Sequence, residues 1–280
     1  MTSLQQSTKP EDIANQYILE WRTPQKANKV LILVEGPDDY EFYYRFFNYT
    51  NSEIKHSNGC GNIMRIFSLI QGMILNNIAI KDSDFARLCA MSPPVSNFFY
   101  ADAHDYEMMC LKHEETRREL FGVLAMDYDE SICESIFQEL KLLSFFKWYN
   151  YLHHLNYKFK AFKVANYTAE QLNDFDYIHD EISSFSQPKR SVSASEMEEF
   201  QSKNSACCKF ELTNGHDFIN RLCKYLKDIR REFNKENEIS IKHRLHPCFR
   251  LNAFAQTDLY QAILQWEEHQ GVDFLNKIHH

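Results

Sequence analysis

Residues 28–39, NKVLILVEGPDD, begin with an apolar run rich in valine, leucine and isoleucine that ends at Glu35 and Gly36. An apolar run of this length, bounded by Gly and Pro, predicts a buried β-strand. Pro37 and the two aspartates after it are typical of the first turn of a helix, where proline fits and acidic side chains favour the helix dipole. The stretch therefore predicts a strand, a tight turn and a helix in succession.

The same arrangement is predicted twice more downstream. Residues 77–80 form a second apolar run, followed by KDSDF, and residues 97–101 form a third, followed by Asp102. Strands that alternate with helices predict an α/β fold with a parallel-dominated sheet flanked by helices. Beyond residue 112 the apolar spacing becomes helical, which predicts a largely helical C-terminal region.

These patterns divide the chain into five predicted segments. The predicted segments are a polar leader (1–27), an α/β core (28–111), a helical and aromatic region (112–182), a serine-rich loop (183–205) and a helical C-terminal region completing the domain (206–280). The loop is predicted because eight serines and one proline occur there without an apolar period.

The charge of the chain is unevenly distributed. A net charge of -8 argues against a protein that coats nucleic acid by bulk positive charge. Residues 203–250 are an exception, with eleven Lys or Arg against six Asp or Glu. Five basic residues are predicted on the polar face of a helix over residues 218–233: Arg221, Lys224, Lys227, Arg230 and Arg231. This face is predicted to contact phosphates or dock an acidic partner, with a merely solvated face as the alternative.

The cysteines and the N-terminal residues bear on the compartment. Eight cysteines occur without a Cys-x-x-Cys pair or a knot-like spacing, which is typical of reduced thiols in a cytoplasmic protein. The first residues lack the order of a secretory signal, and no apolar run reaches the length that spans a bilayer. A cytoplasmic protein without a membrane partner is therefore expected.

Acidic side chains follow each of the three predicted strands. They are Glu35 after the first, Asp82 and Asp84 after the second, and Asp102, Asp105 and Glu107 after the third. The carboxyl ends of parallel strands face one crevice, so these carboxylates are expected to converge there. Crowded carboxylates favour a bound cation, and all-oxygen ligands select Mg²⁺ first, with Mn²⁺ able to substitute. The alternative for each cluster taken alone is helix capping or turn formation.

The spacing also predicts roles within such a site. Asp82 and Asp84, two apart on an extended segment, would point to the same side and hold one metal ion. Glu35 would bind the same ion or act as general base, and Asp105 and Glu107 would complete a second metal site. Lys81 would stabilise phosphate charge, or it is simply a solvated lysine.

Several strings resemble a known family. VLILVEGPDD and IAIKDSDF resemble the Glu-Gly and Asp-x-Asp motifs of the TOPRIM fold. FFYADAHDYEMM and NGHDFINRLCKYL resemble the TOPRIM-containing group of OLD-type nucleases, nearest to the effector nucleases of PARIS anti-phage defence systems. The sequence departs from the family pattern at Lys81, where an apolar residue is common, and at Ser83, where arginine is common. Neither departure removes a carboxylate.

The resemblance implies a Mg²⁺-dependent nuclease with Glu35, Asp82 and Asp84 at its centre. It further implies a toxic effector of abortive infection that cleaves host tRNA, is controlled by an ABC-type, OLD-like ATPase partner and forms a homodimer. The alternative from another class is a catalytically silent TOPRIM-like subunit that serves only the assembly of a defence complex. A third reading, phosphoryl transfer of the haloacid-dehalogenase kind, is disfavoured because a strand ending in Glu35 precedes the Asp-x-Asp.

Overall fold

The structure, a computed structural model, describes residues 9–278. Its first half contains α1 (Pro10–Trp21), β1 (Val30–Val34), α2 (Pro37–Tyr43), β2 (Ser52–His56), α3 (Cys60–Ile70), β3 (Asn77–Lys81), β4 (Phe98–Tyr100), α4 (Tyr106–Lys112), α5 (Glu114–Val123) and α6 (Glu130–His153). Its second half contains α7 (Ala169–Leu172), α8 (Phe175–Ser184), α9 (Ala194–Lys203), α10 (Lys209–Leu212), α11 (Gly215–Ile229), α12 (Glu238–Cys248), α13 (Leu251–Ala255) and α14 (Asp258–Gln270). Short 3-10 helices occur at Tyr44–Phe46, Val164–Asn166 and Arg231–Lys235.

Within residues 9–278 the strands form one parallel sheet in the order β2-β1-β3-β4. Strand β1 is buried along its whole length and pairs with β2 on one side and with β3 on the other. The three strands expected from the sequence are therefore present, and the predicted α/β fold with a helical C-terminal region is confirmed. Strand β2 (SEIKH) was not predicted, because its alternating polar residues lack the apolar run that marks a buried strand.

The chain forms two compact units whose segments interleave along the sequence. The described part of the sheet unit comprises residues 9–83, 92–102 and 249–278, and the helical unit comprises residues 84–91 and 103–248. The expected segment boundaries near residues 111 and 205 do not coincide with those of the units. The C-terminal 30 described residues return to the sheet unit, which no local sequence pattern indicates.

One face of the sheet packs against α1 and α3. Ile13, Tyr17 and Trp21 of α1 are buried in the same apolar cluster as Leu31 and Leu33 of β1. Residues 9–27, predicted as part of a polar leader, thus contribute a helix to the core, which corrects the prediction for them. The prediction failed because the apolar face of α1 is narrow and its remaining positions are polar. Residues 1–8 lie outside the described residues.

An aromatic cluster within the sheet unit joins α2 to the C-terminal segment. Phe42 and Phe46 pack against Phe249 and Phe254, with ring centroids 5.9 Å apart for Phe42 and Phe249 and 4.3 Å apart for Phe46 and Phe254. All four side chains are fully buried. Aromatic pairs of this kind stabilise a fold beyond the apolar area that they bury. The cluster therefore holds the helix that follows Glu35 against residues more than 200 positions away.

The helical unit is built around α6, whose Phe137 packs against Phe210 and Phe218. The serine-rich segment contains α9, so the predicted loop over residues 183–205 is wrong for Ala194–Lys203. Ser193 caps this helix by accepting a hydrogen bond from the Glu196 amide, while the Glu196 carboxylate accepts one from the Ser193 amide. Serine disfavours helix interiors but favours helix starts, so serine content alone was a poor guide.

No helix among residues 9–278 has the length and apolar character needed to cross a membrane. Each cysteine whose side chain the structure describes is a free thiol; the side chain of Cys60 is not among them. Burial raises the pKa of Cys133 to about 12, so this thiol is protonated and unreactive near neutral pH.

Candidate active site at the carboxyl edge of the sheet

Glu35 directly follows β1, and its main chain is held by the turn around it. The Ser57 hydroxyl and the Gly59 amide both donate to the Glu35 carbonyl at 2.9 Å. The Gly36 amide donates to the Asp39 carboxylate at 2.9 Å, which closes the first turn of α2. Gly59 has φ +128°, a conformation that favours glycine. These contacts hold the buried side chain of Glu35 at the carboxyl end of β1.

Lys81 ends β3, the strand beside β1. Its Nζ lies 3.1 Å from Glu35 Oε1 and donates to the Asp82 carbonyl at 3.1 Å. The side chains of Lys81 and Glu35 are only 15% and 10% exposed, so the pair is largely shielded from water. A carboxylate, a carbonyl and an ammonium group therefore meet where two neighbouring strands end.

This meeting point has a defined place in the topology. After β1 the chain goes to β2 on one side and then to β3 on the other, so the winding direction reverses between β1 and β3. In open α/β sheets, ligands bind outside the carboxyl ends of strands at such a reversal. Glu35, Lys81 and Asp82 lie at this reversal.

Asp102 follows β4, but its carboxylate has a structural role. Its two oxygens accept hydrogen bonds from the amides of Asp258 and Leu259 at 2.6 and 2.8 Å. Both amides belong to the first turn of α14, where unpaired donors and the helix dipole favour a carboxylate. Asp102 thus holds the first turn of α14, about 150 residues away, and is not the N-cap of the nearby α4, a position that Asp105 occupies.

Asp84 belongs to the helical unit and does not continue a strand. Strand β3 ends at Lys81, and the backbone of Asp84 is left-handed with φ +47°. The expectation that Asp82 and Asp84 point to the same side rested on extended geometry, which does not reach Asp84. The Asp84 amide donates to the His104 carbonyl at 2.7 Å, which ties this turn to the segment before α4.

Asp105 and Glu107 are buried in the helical unit, and each already has partners there. Asp105 caps α4 by accepting from the Met108 amide at 2.9 Å, and it accepts from the Gly215 amide at 2.6 Å. Glu107 forms an ion pair of 2.8 Å with Lys242. The main chain at Gly215 approaches so closely that a Cβ atom there would lie 2.6 Å from Cβ of Glu107.

Lys242 joins this buried network to the surface. Its Nζ also lies 3.0 Å from Glu238, which pairs in turn with His216. Sequence reasoning missed Lys242, Glu238 and His216 as partners of the acidic cluster. The one sequence signal in this region was the Gly-His-Asp string at the start of α11, which resembles a motif of the OLD-type nucleases.

Burial raises the pKa of the two innermost acids of this network, Asp105 and Glu107. Burial, aided by the nearby charge of Asp84, outweighs the hydrogen bonds from Met108 and Gly215 and raises the pKa of Asp105 to about 6. Burial and the charge of Asp105 raise the pKa of Glu107 to about 7, although Lys242 opposes the shift. At Glu238 burial also disfavours the charge, but His216 and Lys242 outweigh it and lower the pKa to about 2.

The donor set can be compared with what Mg²⁺ requires. This ion is commonly held by one or two carboxylates, with waters and substrate phosphates completing its octahedron. Glu35 and Asp82, at the ends of neighbouring strands of the sheet unit, fit that requirement. The oxygens of Asp105 and the carboxylate of Glu107 are engaged inside the helical unit and do not. Among residues 9–278, no group of three or more His, Cys, Asp or Glu side chains is arranged to hold a metal ion.

The five basic residues expected on one helix face do not form a common surface. Arg221 is buried and pairs with Glu139, and it donates to the Val164 and Tyr167 carbonyls. Placing Arg221 on an exposed stripe was therefore wrong, because a long arginine can face inward when carbonyls and a carboxylate satisfy it. Lys224 pairs with Asp228 on the helix surface.

The remaining three basic residues are exposed near the end of α11. Lys227 lies in its last turn, whereas Arg230 and Arg231 lie beyond the helix. Arg230 donates to the Ala125 carbonyl and pairs with Glu232. The exposed basic surface is thus smaller than expected, and it consists of residues in the last turn of α11 and directly after it.

The sheet order and its flanking helices define the chain as an α/β protein with an acidic carboxyl edge. Comparisons with protein-family models, with curated proteins and with solved structures found no significant match. The chemistry available at this edge is that of Glu35, Lys81 and Asp82.

Proposed function

We propose that this chain is a metal-dependent nuclease whose reaction takes place at the carboxyl edge of the sheet, beside β1 and β3. The observation that carries the proposal is the meeting of Glu35, Lys81 and Asp82 at the reversal of sheet winding. A carboxylate and an ammonium group, with a second acidic residue directly after Lys81, suit a metal ion and a substrate that carries phosphate. The TOPRIM-like motifs on these same residues favour phosphodiester cleavage over other phosphate chemistry.

Glu35 and Asp82 would hold Mg²⁺, with waters and a substrate phosphate as its other ligands. A bound ion supplies stabilisation of negative charge on the attacking and leaving oxygens. Lys81 holds the Glu35 carboxylate in place through their 3.1 Å contact and places a positive charge beside the phosphate. Glu35 serves either as a ligand or as the base that takes the proton of the attacking water or hydroxyl.

The substrate and the biological setting rest on the resemblance alone. They comprise a tRNA substrate, a toxic anti-phage role, an ATPase partner that restrains the nuclease, and a homodimer. A nucleic-acid substrate of some kind follows from the proposed chemistry, whereas the choice of tRNA does not. These parts of the proposal can fail without affecting phosphodiester cleavage itself.

A second candidate, a catalytically silent subunit of a defence complex, is favoured by a separate observation. Asp102 accepts from two amides of α14, Asp105 caps α4, and Glu107 is paired with Lys242, so each of these acids has a structural role. A fold that employs its acids for capping and pairing needs no metal ion to be stable.

Cleavage by the purified full chain distinguishes the two candidates. We would incubate it with tRNA, single-stranded RNA and duplex DNA in Mg²⁺, Mn²⁺ or EDTA. We expect cleavage that requires the metal, that Glu35→Gln abolishes, and that Asp38→Asn retains. Asp38 is a matched control because it is an exposed acid only three residues away. No cleavage by the wild type, or equal cleavage by folded Glu35→Gln protein, would favour the silent subunit.

A further inference from the structure

A groove of about 650 Å³ lies along β2, the edge strand of the sheet unit. Each residue of β2 contributes to its lining, together with residues of α1 and α2 and of the loop before β2. Its volume falls within the range of small-molecule sites. The groove lies wholly within the sheet unit.

One wall of the groove consists of tyrosine rings. Tyr44 and Tyr49 stack with ring centroids 3.9 Å apart and planes inclined by 21°, and Tyr40 lies 5.7 Å from Tyr44. The side chain of Tyr44 is 44% exposed, which is high for a large aromatic residue. A partly exposed ring in a stacked pair offers a flat surface on which another planar ring can stack.

Two buried polar atoms in the groove lining have no hydrogen-bond partner among residues 9–278. They are Oη of Tyr49 and Nδ1 of His56. Burial lowers the pKa of His56, although a side-chain hydrogen bond with Asn58 opposes the shift, so the ring is neutral and its nitrogens divide into one donor and one acceptor. Buried polar groups are usually satisfied, so two orphaned atoms in one groove indicate that a ligand completes them.

Two lysines and two glutamates at or beside the groove already form ion pairs with one another. Lys26 and Lys55 each pair with both Glu20 and Glu53, at distances from 2.8 to 3.0 Å. Lys29 donates to the Tyr49 carbonyl at 2.7 Å. A ligand that depended mainly on its charge would gain little here, whereas a flat polar ring would gain stacking and hydrogen bonds.

From these observations we propose that the groove binds an unpaired nucleobase of a single-stranded nucleic acid. The base stacks on Tyr44, and its edge hydrogen-bonds to Tyr49 Oη and His56 Nδ1. Nucleobases present both donors and acceptors along their edge, and proteins bind unpaired bases on aromatic side chains. This proposal rests on the proposed function, since it assigns to that nuclease a site for an unpaired base next to the cleaved bond.

The position of the groove supports this connection. His56 is paired with Val34 in the sheet, and Glu35 follows Val34 directly. Neighbouring strands lie about 4.8 Å apart. Tyr40 and Tyr44 belong to α2 and the turn after it, which begin just beyond Glu35. The groove and the proposed catalytic edge are therefore neighbours within one unit.

Binding is tested with fluorescein-labelled single-stranded RNA of about ten nucleotides, by anisotropy in EDTA so that cleavage does not interfere. Tyr44→Ala is expected to weaken binding by about tenfold through loss of stacking. Tyr49→Phe keeps the ring and removes only the orphaned hydroxyl. It should weaken binding severalfold while the melting temperature stays equal or rises, because the free protein leaves that hydroxyl unsatisfied.

Tyr151→Ala is the matched control, since Tyr151 is a similarly exposed tyrosine of the helical unit, and it should bind as the wild type does. The slope of log affinity against log salt should not change in Tyr44→Ala, because no phosphate contact is lost. Wild-type affinity in both Tyr44→Ala and Tyr49→Phe, or no RNA binding by the wild type, would overturn the inference.

Failure of this inference and failure of the proposed function give different results. RNA binding through the groove without metal-dependent cleavage would refute the nuclease and leave the base site standing. Glu35-dependent cleavage with wild-type binding by both groove variants would do the reverse.

Discussion

Nζ of Lys81 lies 3.1 Å from Oε1 of Glu35, and the two side chains close the carboxyl ends of neighbouring strands. Removing one partner of a largely buried ion pair reduces the compensation of the other charge, and full loss of that compensation costs about 3–5 kcal/mol. Lys81→Met should therefore lower the free energy of unfolding by a few kcal/mol, whereas the Glu35→Gln, Lys81→Met double variant should recover part of the loss. Urea denaturation of the wild type, both single variants and the double variant measures this coupling. Strictly additive effects would show that the pair contributes nothing to stability.

The turn at Asp84 permits a test that separates its backbone from its carboxylate. The backbone of Asp84 is left-handed, with φ +47°. Asparagine tolerates this region, so Asp84→Asn should keep the free energy of unfolding. Asp84→Val should lower it by about 1–2 kcal/mol, because β-branched residues disfavour the left-handed region. If the carboxylate binds metal, both folded variants should lose cleavage. Thermal melts and cleavage assays on the two variants supply the comparison. Full cleavage by Asp84→Asn would refute the metal-binding role that the sequence predicts for Asp84.

The raised pKa of Glu107 predicts a definite pH dependence of stability. With a folded pKa of about 7 against an ordinary value of 4.5, its contribution is fully present below about pH 4.5 and is lost as the pH rises through 7. The loss amounts to at most about 3 kcal/mol. The difference in unfolding free energy between wild type and Glu107→Gln should therefore fall from pH 5 to pH 8. The same difference for the exposed Glu115→Gln should stay flat, and a flat profile for Glu107→Gln would contradict its burial as an acid.

Gly215 allows α11 to approach the acidic network, because an added Cβ would lie 2.6 Å from Cβ of Glu107. Gly215→Ala should lower stability by about 1–3 kcal/mol through overpacking. Gly122→Ala is the matched control, since it lies in α5 with no atom within 4 Å of an added Cβ, and it should be neutral or slightly stabilising. Denaturant titrations measure the unfolding free energy of both variants. A Gly215→Ala protein as stable as the wild type would show that Asp105 and Glu107 shift to accommodate the added methyl group.

The basic residues around the end of α11 separate into a structural and a surface group. Arg221→Met should destabilise the helical unit, because Glu139 loses a buried partner. Lys227→Glu with Arg231→Glu should leave the melting temperature nearly unchanged. If these exposed residues contact phosphates, the double variant should reduce the salt slope of RNA affinity by roughly 0.7 for each lost contact. An unchanged slope and unchanged partner binding would make this a solvated surface.

Local pattern was informative where neighbouring residues decide the structure. The apolar run before Glu35 predicted β1, and the runs before Asp82 and Asp102 predicted β3 and β4, because strands buried on both faces need continuous apolar residues. The half-polar β2 was missed, since as an edge strand it buries only alternate residues. Ser193 and Glu196 carried a capping signature inside a stretch that composition alone assigned to a loop.

The sequence by itself determined the α/β class and the placement of acidic residues at strand ends, because both depend on periodicity and on residues adjacent in the chain. Tertiary structure alone decided which acids could serve a reaction. Asp102 is occupied by amides of α14, Asp105 by the Gly215 amide, and Glu107 by Lys242, all more than 100 positions away. A carboxylate takes the donors that folding brings to it, and such long-range partners leave no mark in the local pattern. Glu35 and Lys81 meet for the same reason, since sheet order places β1 beside β3.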